Sequence, residues 1–250
     1  MIPIRTIMPR IGVKKLYYLL YQQLHKLHVG RDRLFEILRA NNMLIRPKRT
    51  YHVTTNSHHR FRKHKNQIKG KTITKPEQVW VSDITYIGIR QNPCYLALIT
   101  DAYSKKIVGY DVSNSLSVDG SLRALEYALS QREYKYDTPL IHHSDRGLQY
   151  CSNEYQRLLK EHVITPSMTE QYDPYENAVA ERVNGVLKQE FDIDKYNHLD
   201  IEARKKLTKD AIRIYNKYRP HYSNHMLTPY QMHKQSKIKM RTYKKKKVAI

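Results

Sequence analysis

The sequence has no apolar run of about 18 residues, the length a membrane-spanning helix needs, so no transmembrane segment is expected. It has only two cysteines, Cys94 and Cys151, far apart and neither beside a second one. That argues against a cysteine-rich zinc site and fits a reducing compartment. The 13 histidines are scattered, and none pairs with a cysteine at zinc-finger spacing. Met1 to Arg10 is too short and too weakly apolar for a secretory signal. There is no internal repeat and no heptad run of the leucine-zipper kind. Acids are scarce: Asp plus Glu number 23 against 45 Lys plus Arg, a net charge of +22. Such an excess repels itself unless a polyanion neutralises it, and nucleic acid is the usual polyanion, with a membrane surface second.

What is present is a globular composition, 40% hydrophobic and 27% charged over 250 residues. That suffices for one large domain or a small domain plus a medium one. Leu16, Leu19, Leu20, Leu24 and Leu27 recur at helical spacing and predict an amphipathic helix over Val13–His28. Val29-Gly30 ends it, and a second helix is expected over Arg31–Asn41, with Leu34, Phe35 and Leu38 on one side and Arg31 and Arg33 at its start. Helix, turn, helix with a basic N-terminus fits a helix-turn-helix equally with a plain hairpin packed on the next domain. Arg46 to Lys71 holds nine Lys or Arg (46, 48, 49, 60, 62, 63, 65, 69, 71) and no acid. It reads as a linker, either a solvated tether or a run of phosphate contacts; the missing acids favour the latter.

From Thr72 the pattern alternates. Strands are expected at Val79–Ile87, Cys94–Thr100 and Lys106–Val112, joined as hairpins, then a helix over Val118–Gln131. A short buried strand follows at Pro139–His143, a helix opened by Ser152, a fifth strand at His162–Thr165 and a long helix over Glu176–Phe191. The order β-β-β-α-β-α-β-α implies an α/β fold, a mixed five-stranded sheet with helices on its faces. After Asp210 there are eleven Lys or Arg and no acid.

Three acids stand out by position. Asp83 lies in an otherwise apolar first strand, where a charge is costly without a partner. Asp145 follows the fourth strand at a Gly turn, in His142-His143-Ser144-Asp145-Arg146-Gly147. Glu181 lies on the last long helix. If the fourth strand runs parallel beside the first, that helix lays Glu181 beside both aspartates. Three carboxylates would let two hard cations sit close together, one activating a water or 3′-hydroxyl and the other stabilising the leaving oxygen at a phosphodiester. Singly each has an ordinary reading: an edge-strand acid, a turn cap, an exposed helix acid. Asp101 is expected to be a turn residue and Glu176 a first-turn helix acid. Lys188, seven residues after Glu181, shares its helix face and is either a contact to DNA phosphate or a solvated lysine.

The segments Trp80-Val81-Ser82-Asp83-Ile84-Thr85-Tyr86, His143-Ser144-Asp145-Arg146-Gly147-Leu148-Gln149-Tyr150 and Glu176-Asn177-Ala178-Val179-Ala180-Glu181-Arg182 resemble the catalytic protein of IS3-family insertion-sequence transposases, which share the retroviral-integrase core. Asp145 and Glu181 have 35 residues between them, the D,D(35)E spacing, and Lys188 falls at the family's basic position. Asn216-Lys217-Tyr218-Arg219-Pro220-His221 and Leu227-Thr228-Pro229 resemble its C-terminal segment.

The resemblance implies an RNase H-like core, two Mg²⁺ or Mn²⁺ ions on Asp83, Asp145 and Glu181, and cleavage and strand transfer at an element's ends. The implied layout is a helix-turn-helix domain over 1–47, a basic linker over 48–75, the catalytic core with C-terminal helices over 76–236, and a basic tail over 237–250. DNA contacts are expected from Lys188, Arg31, Arg33, Arg46, Lys48, Arg49, Arg60, Arg62 and Lys63. Expected partners are the element's terminal repeats, target DNA, further copies of the chain on DNA and an upstream-frame helix-turn-helix protein, all in a bacterial cytoplasm and none in a membrane. The chain begins close to the helix at Val13, where family members usually carry more sequence, and Glu176 stands where many have Asp. The alternative reading is therefore a shortened, non-catalytic DNA-binding regulator. An RNase H-type nuclease of RNA–DNA hybrids would explain the acids but not the flanking basic stretches.

Overall fold

The computed structural model describes residues 1–45, 63–89, 91–133, 139–170, 177–196 and 198–241. The chain opens with four short helices, α1 (Ile2–Ile7), α2 (Val13–Leu19), α3 (Tyr21–Lys26) and α4 (Arg31–Ala40). The single helix expected over Val13–His28 is broken at Leu20, which lies between α2 and α3 with φ −102° and ψ 9°. The leucine spacing marks the buried face correctly but does not report this break. α1 was not anticipated. It is too short to show a period, and none of its residues is fully buried.

The sheet follows: β1 (Val79–Tyr86), β2 (Tyr95–Asp101) and β3 (Ile107–Ser113) form the expected antiparallel hairpins. α5 (Val118–Ser130) then crosses to β4 (Ile141–Ser144); α6 (Leu148–Cys151) and α7 (Asn153–Glu161) lead to β5 (Thr165–Met168). The strand order is β3-β2-β1-β4-β5, with β4 parallel to both β1 and β5. Ser152 caps α7, its hydroxyl accepting from the Tyr155 N–H, as its position before the helix predicts. The fifth strand lies further along than His162–Thr165: Val163 is 86% exposed with φ 54°, so it closes the end of α7 rather than starting a strand.

The remaining helices are α8 (Ala178–Glu190), α9 (Ile201–Tyr218) and α10 (Pro229–His233). The pleat of β1 divides the core. Trp80 points into a cluster with Leu125, Ala128, Tyr155 and Leu159 under α5 and α7. Val79 and Val81 point the other way, toward Ile141 and Ala180 on the α8 side. On the α5 face Gly109 allows close approach, since a Cβ there would lie 2.2 Å from the Ala124 carbonyl oxygen. A further cluster joins Val13 and Leu16 of α2 and Leu34 and Leu38 of α4 to Leu96, Leu98, Val183, Leu187 and Tyr215. The N-terminal helices therefore pack on the same core that carries α8. No helix among the described residues is long and apolar enough to cross a membrane.

Of the basic stretch Arg46–Lys71, only residues from Lys63 are described, and that part is not a free tether. The His64 N–H faces the Met168 sulfur at 3.5 Å, Gln67 N–H donates to Ser167 Oγ at 2.8 Å and Asn66 N–H to Glu170 Oε1 at 3.1 Å. This segment lies along edge strand β5, and Ile68 packs against the cluster of Val79, Val81, Ile141 and Ala180. The backbone here finds side-chain acceptors, which composition alone does not reveal.

Candidate active site

Asp83 continues the β1 face that begins with Val79 and Val81, at the point where full burial gives way to partial exposure. Parallel pairing sets Val81 level with His143. Carried on by two residues, the same register sets Asp83 level with Asp145, just past the end of β4, about 4.8 Å away across the sheet. Asp145 is held in its turn by the Gly147 N–H, which donates to Oδ1 at 3.0 Å. A Cβ at Gly147 would lie 3.1 Å from that oxygen, so a side chain there would crowd the turn.

α8 supplies the third acid. Asn177, just before its start, donates from Nδ2 to the Ser82 carbonyl at 2.9 Å, and Asn184 donates from Nδ2 to Asp83 Oδ2 at 2.7 Å. Glu181 lies three residues before Asn184 and Lys188 four after, so all three share the face turned to β1. Glu181 is the most open of the acids; Asp83, Asp145 and Lys188 are half-buried.

The electrostatics single out Asp83. Burial, then the Asp145 carboxylate, push its carboxyl up to about 7; Glu181 adds to the rise, against the hydrogen bonds from Asn184 and the Ile84 backbone. Burial also raises Glu181. Burial lowers Lys188, while Asp194 and Asp83 hold it up, which places its ammonium within electrostatic reach of the acids. The two histidines before Asp145 serve the fold. His142 is buried with Nε2 2.7 Å from Ser82 Oγ and 2.9 Å from the Tyr155 hydroxyl, and burial brings its pKa down to about 3, so it is neutral. His143 Nδ1 meets Ser167 Oγ at 2.8 Å across β4 and β5.

The donor set consists of carboxylate oxygens, which suits a hard divalent cation, and burial together with the neighbouring carboxylates raises Asp83, so a cation there would favour its charged form. Among the described residues no three His, Cys, Asp or Glu side chains are drawn tightly enough together to enclose an ion. The β1–β4 register carries Asp83 level with Asp145 just past the end of β4, and Glu181 lies on α8.

Of the nine expected DNA-contacting residues, four are described: Arg31, Arg33, Lys63 and Lys188. Arg31 and Arg33 sit exposed at the start of α4, paired to Asp32 at 2.8 Å and Glu36 at 2.9 Å on their own helix. Exposed pairs of this kind hold little energy and can be exchanged for phosphate. Lys63 is exposed; Arg46, Lys48, Arg49, Arg60 and Arg62 lie outside the described residues, as does Glu176. Asp101 does hold a turn, accepting from Ser104 N and Oγ at 2.7 Å, but it is also fully buried and accepts from the Glu77 N–H at 2.7 Å beside His233. Sequence reasoning missed Asn184, although its three-residue spacing from Glu181 on a predicted helix was available.

A five-stranded 3-2-1-4-5 sheet with acids on the first strand, past the fourth and on a following helix defines the integrase-like, DDE-type polynucleotidyl transferases. A family model described as Integrase core domain matches residues 73–174, and a second of the same description matches 162–229. The chain is 34% identical over 195 residues to an uncharacterized 31 kDa protein of insertion element IS600 from Shigella sonnei, covering 77% of this chain and 71% of that protein. It is 33% identical over 162 residues to transposase InsF of insertion sequence IS3fB from Escherichia coli K12, covering 64% and 55%. The HTLV-2 integrase catalytic core domain in complex with magnesium superposes with a TM-score of 0.50 at 19% identity, over 64% of this chain and 97% of that one. The chain belongs to the IS3-family insertion-sequence transposases.

Proposed function

We propose that Asp83, Asp145 and Glu181 hold two divalent cations, Mg²⁺ or Mn²⁺, and that this chain cuts DNA at the ends of its element and joins those ends to target DNA. The observation that carries this is the β1–β4 register, which carries Asp83 level with Asp145 just past the end of β4, beside a helix that bears Glu181, with Asp83 pushed up to about 7 by burial and then by the Asp145 and Glu181 carboxylates. Bound there, the ions would activate the attacking water or 3′-hydroxyl and stabilise the leaving oxygen. Asn184 orients Asp83 through its amide. Lys188, on the same helix face, is placed to take a phosphate beside the acids.

In this reading, residues 1–47 contact DNA through Arg31 and Arg33 at the start of α4. Lys63 and the basic residues Arg46, Lys48, Arg49, Arg60 and Arg62 extend the phosphate contacts along the 48–75 segment, and 76–236 forms the catalytic core. Joining two ends requires at least two copies on DNA, and an upstream-frame helix-turn-helix protein is a further partner for end recognition. The test is nicking and strand transfer on labelled duplex carrying the element's ends, with and without Mg²⁺ and with and without that partner. Metal-dependent joining of duplex ends is the expected result. End binding without any metal-dependent chemistry, or cutting confined to RNA–DNA hybrids, would overturn it.

A further inference from the structure

The last residue of α8, Glu190, is the meeting point of three distant parts of the chain. Arg219, just past α9, grips its carboxylate with two parallel hydrogen bonds, Nε to Oε2 and Nη2 to Oε1, both 2.8 Å. Lys15 of α2 donates from Nζ to Oε1 at 2.7 Å. Arg10 reaches the same helix end, its backbone N–H donating to the Glu190 carbonyl at 3.1 Å and its Nε to the Gln189 carbonyl at 2.9 Å. Three cations thus gather at the negative end of the helix dipole. Arg219 is 2% exposed. Burial alone would push the Glu190 carboxyl up, but the Arg219 guanidinium and the Lys15 ammonium outweigh it and bring it down to about 2.

We propose that Glu190, held by Arg219 and Lys15, is a positioning residue that fixes the angle of α8 and so decides whether Glu181 reaches the metal ions shared with Asp83 and Asp145. This rests on the metal-site reading above. Glu181 lies nine residues, about 13 Å, up the helix from the clamp. A tilt of about 5° about the clamped end therefore carries Glu181 about 1 Å, twice the roughly 0.5 Å tolerance of a working site. α2 shares its apolar cluster with α4, which carries Arg31 and Arg33, so the clamp ties the N-terminal helices to the helix of the third acid.

The test uses the full chain and Mn²⁺. Lys15→Met keeps the length of the side chain and removes one grip, leaving both Arg219 hydrogen bonds on Glu190. Free Mn²⁺ is followed by EPR during titration, and the metal needed for half-maximal end cleavage is measured alongside. The expected result is Mn²⁺ affinity about 10-fold weaker, the size typical of outer contacts to a metal site. The metal requirement for cleavage should rise in step, and Lys15→Arg should restore both. On a Glu190→Gln background Lys15→Met should add nothing, because the two act through one contact. Unchanged Mn²⁺ affinity in Lys15→Met while Glu181→Gln loses metal would overturn the clamp and leave the metal site standing. Wild-type Mn²⁺ binding in Glu181→Gln would overturn the metal-site reading, and the clamp with it. Where Glu190→Gln fails to fold because Arg219 is left buried and unpaired, the comparison of Lys15→Met with Lys15→Arg decides alone.

Discussion

Two groups of acids sit along β1, one near its start and one at its middle, and burial acts on both with opposite outcomes. Near the start of the strand, Glu77 and Asp101, the latter on β2 opposite Trp80, are fully buried around His233, whose ring nitrogens lie 3.6 Å from Glu77 and 3.7 Å from Asp101. Arg132 lies 3.6 Å from Glu77 on another side. Glu77 even accepts a left-handed φ of 57°, a strain of about 1 kcal/mol that persists because its N–H and its carboxylate are both in use. Burial would raise Asp101, yet its hydrogen bond and attraction to His233 bring it below the ordinary carboxylate range. Further along the strand, Asp83 is raised to about 7 by burial and then by the Asp145 and Glu181 carboxylates, and the hydrogen bond from the neutral Asn184 amide, which pulls the other way, does not offset them. In the reading proposed above, an acid whose charged neighbours are acids, in a chain with 45 Lys and Arg, is a place for a cation from outside. An acid answered by the chain's own cations holds the fold.

The largest effect expected from this contrast is catalytic. Asp83→Asn, Asp145→Asn or Glu181→Gln should each lower end cleavage at least about 1,000-fold, some 4 kcal/mol of barrier, without lowering stability. A strand-transfer assay beside a thermal melt separates the two quantities, and wild-type activity in all three variants would break the contrast. Next in size is the other group. His233→Leu removes the cation shared by two buried carboxylates, leaving Glu77 with Arg132 and the Glu133 N–H and Asp101 with Ser104 and the Glu77 N–H, and should cost about 3 kcal/mol, lowering Tm by several degrees. The Mn²⁺ affinity of the folded fraction should be unchanged. His233 is raised by Asp101 and Glu77 against burial, so its contribution is full below its ordinary pKa and lost as pH rises through the raised value. Asp101 is lowered, so its contribution is full above the ordinary carboxylate pKa and lost as pH falls through the lowered one. The difference between wild type and His233→Leu should therefore be greatest between about pH 4 and pH 6.5.

A smaller effect of reversed sign sharpens the comparison. Because Asp83 is raised, its stability contribution is present below the ordinary carboxylate pKa and lost as pH rises through about 7. Metal-free Asp83→Asn should melt a few degrees, about 1–2 kcal/mol, above wild type at pH 8 and level with it near pH 4. An advantage that does not grow with pH would mean that the fold does not lift Asp83. Smallest of all, Lys188→Ala should weaken DNA binding evenly across sequences and reduce the salt slope by about 1. A loss of sequence preference instead would place Lys188 on bases rather than phosphate.

The sequence made the local elements legible and left their partners hidden. β1, β2, β3 and α5 declare themselves through β-branched runs and helical spacing, and Asp83, Asp145 and Glu181 through their positions on those elements. β5 did not, because Thr165–Met168 carries a proline and a serine and is a strand only by virtue of pairing with β4. Asp101 read as a turn acid because His233, which neutralises it, lies 132 residues away. The clamp on Glu190 was hidden for the same reason: Lys15 and Arg219 are ordinary surface-type residues until the fold brings α2 and the end of α9 to one helix terminus. Charge counts report what a chain must bind, and long-range contacts decide which acids do the binding.

The most direct test of that division is Mn²⁺ titration of four proteins, the wild type and Asp83→Asn, Glu181→Gln and Asp101→Asn, each in the presence of a DNA end. The account predicts that wild type and folded Asp101→Asn bind the ion alike, with proton release near pH 7, while Asp83→Asn and Glu181→Gln lose it. Equal binding by all four, or loss only in Asp101→Asn, would contradict it.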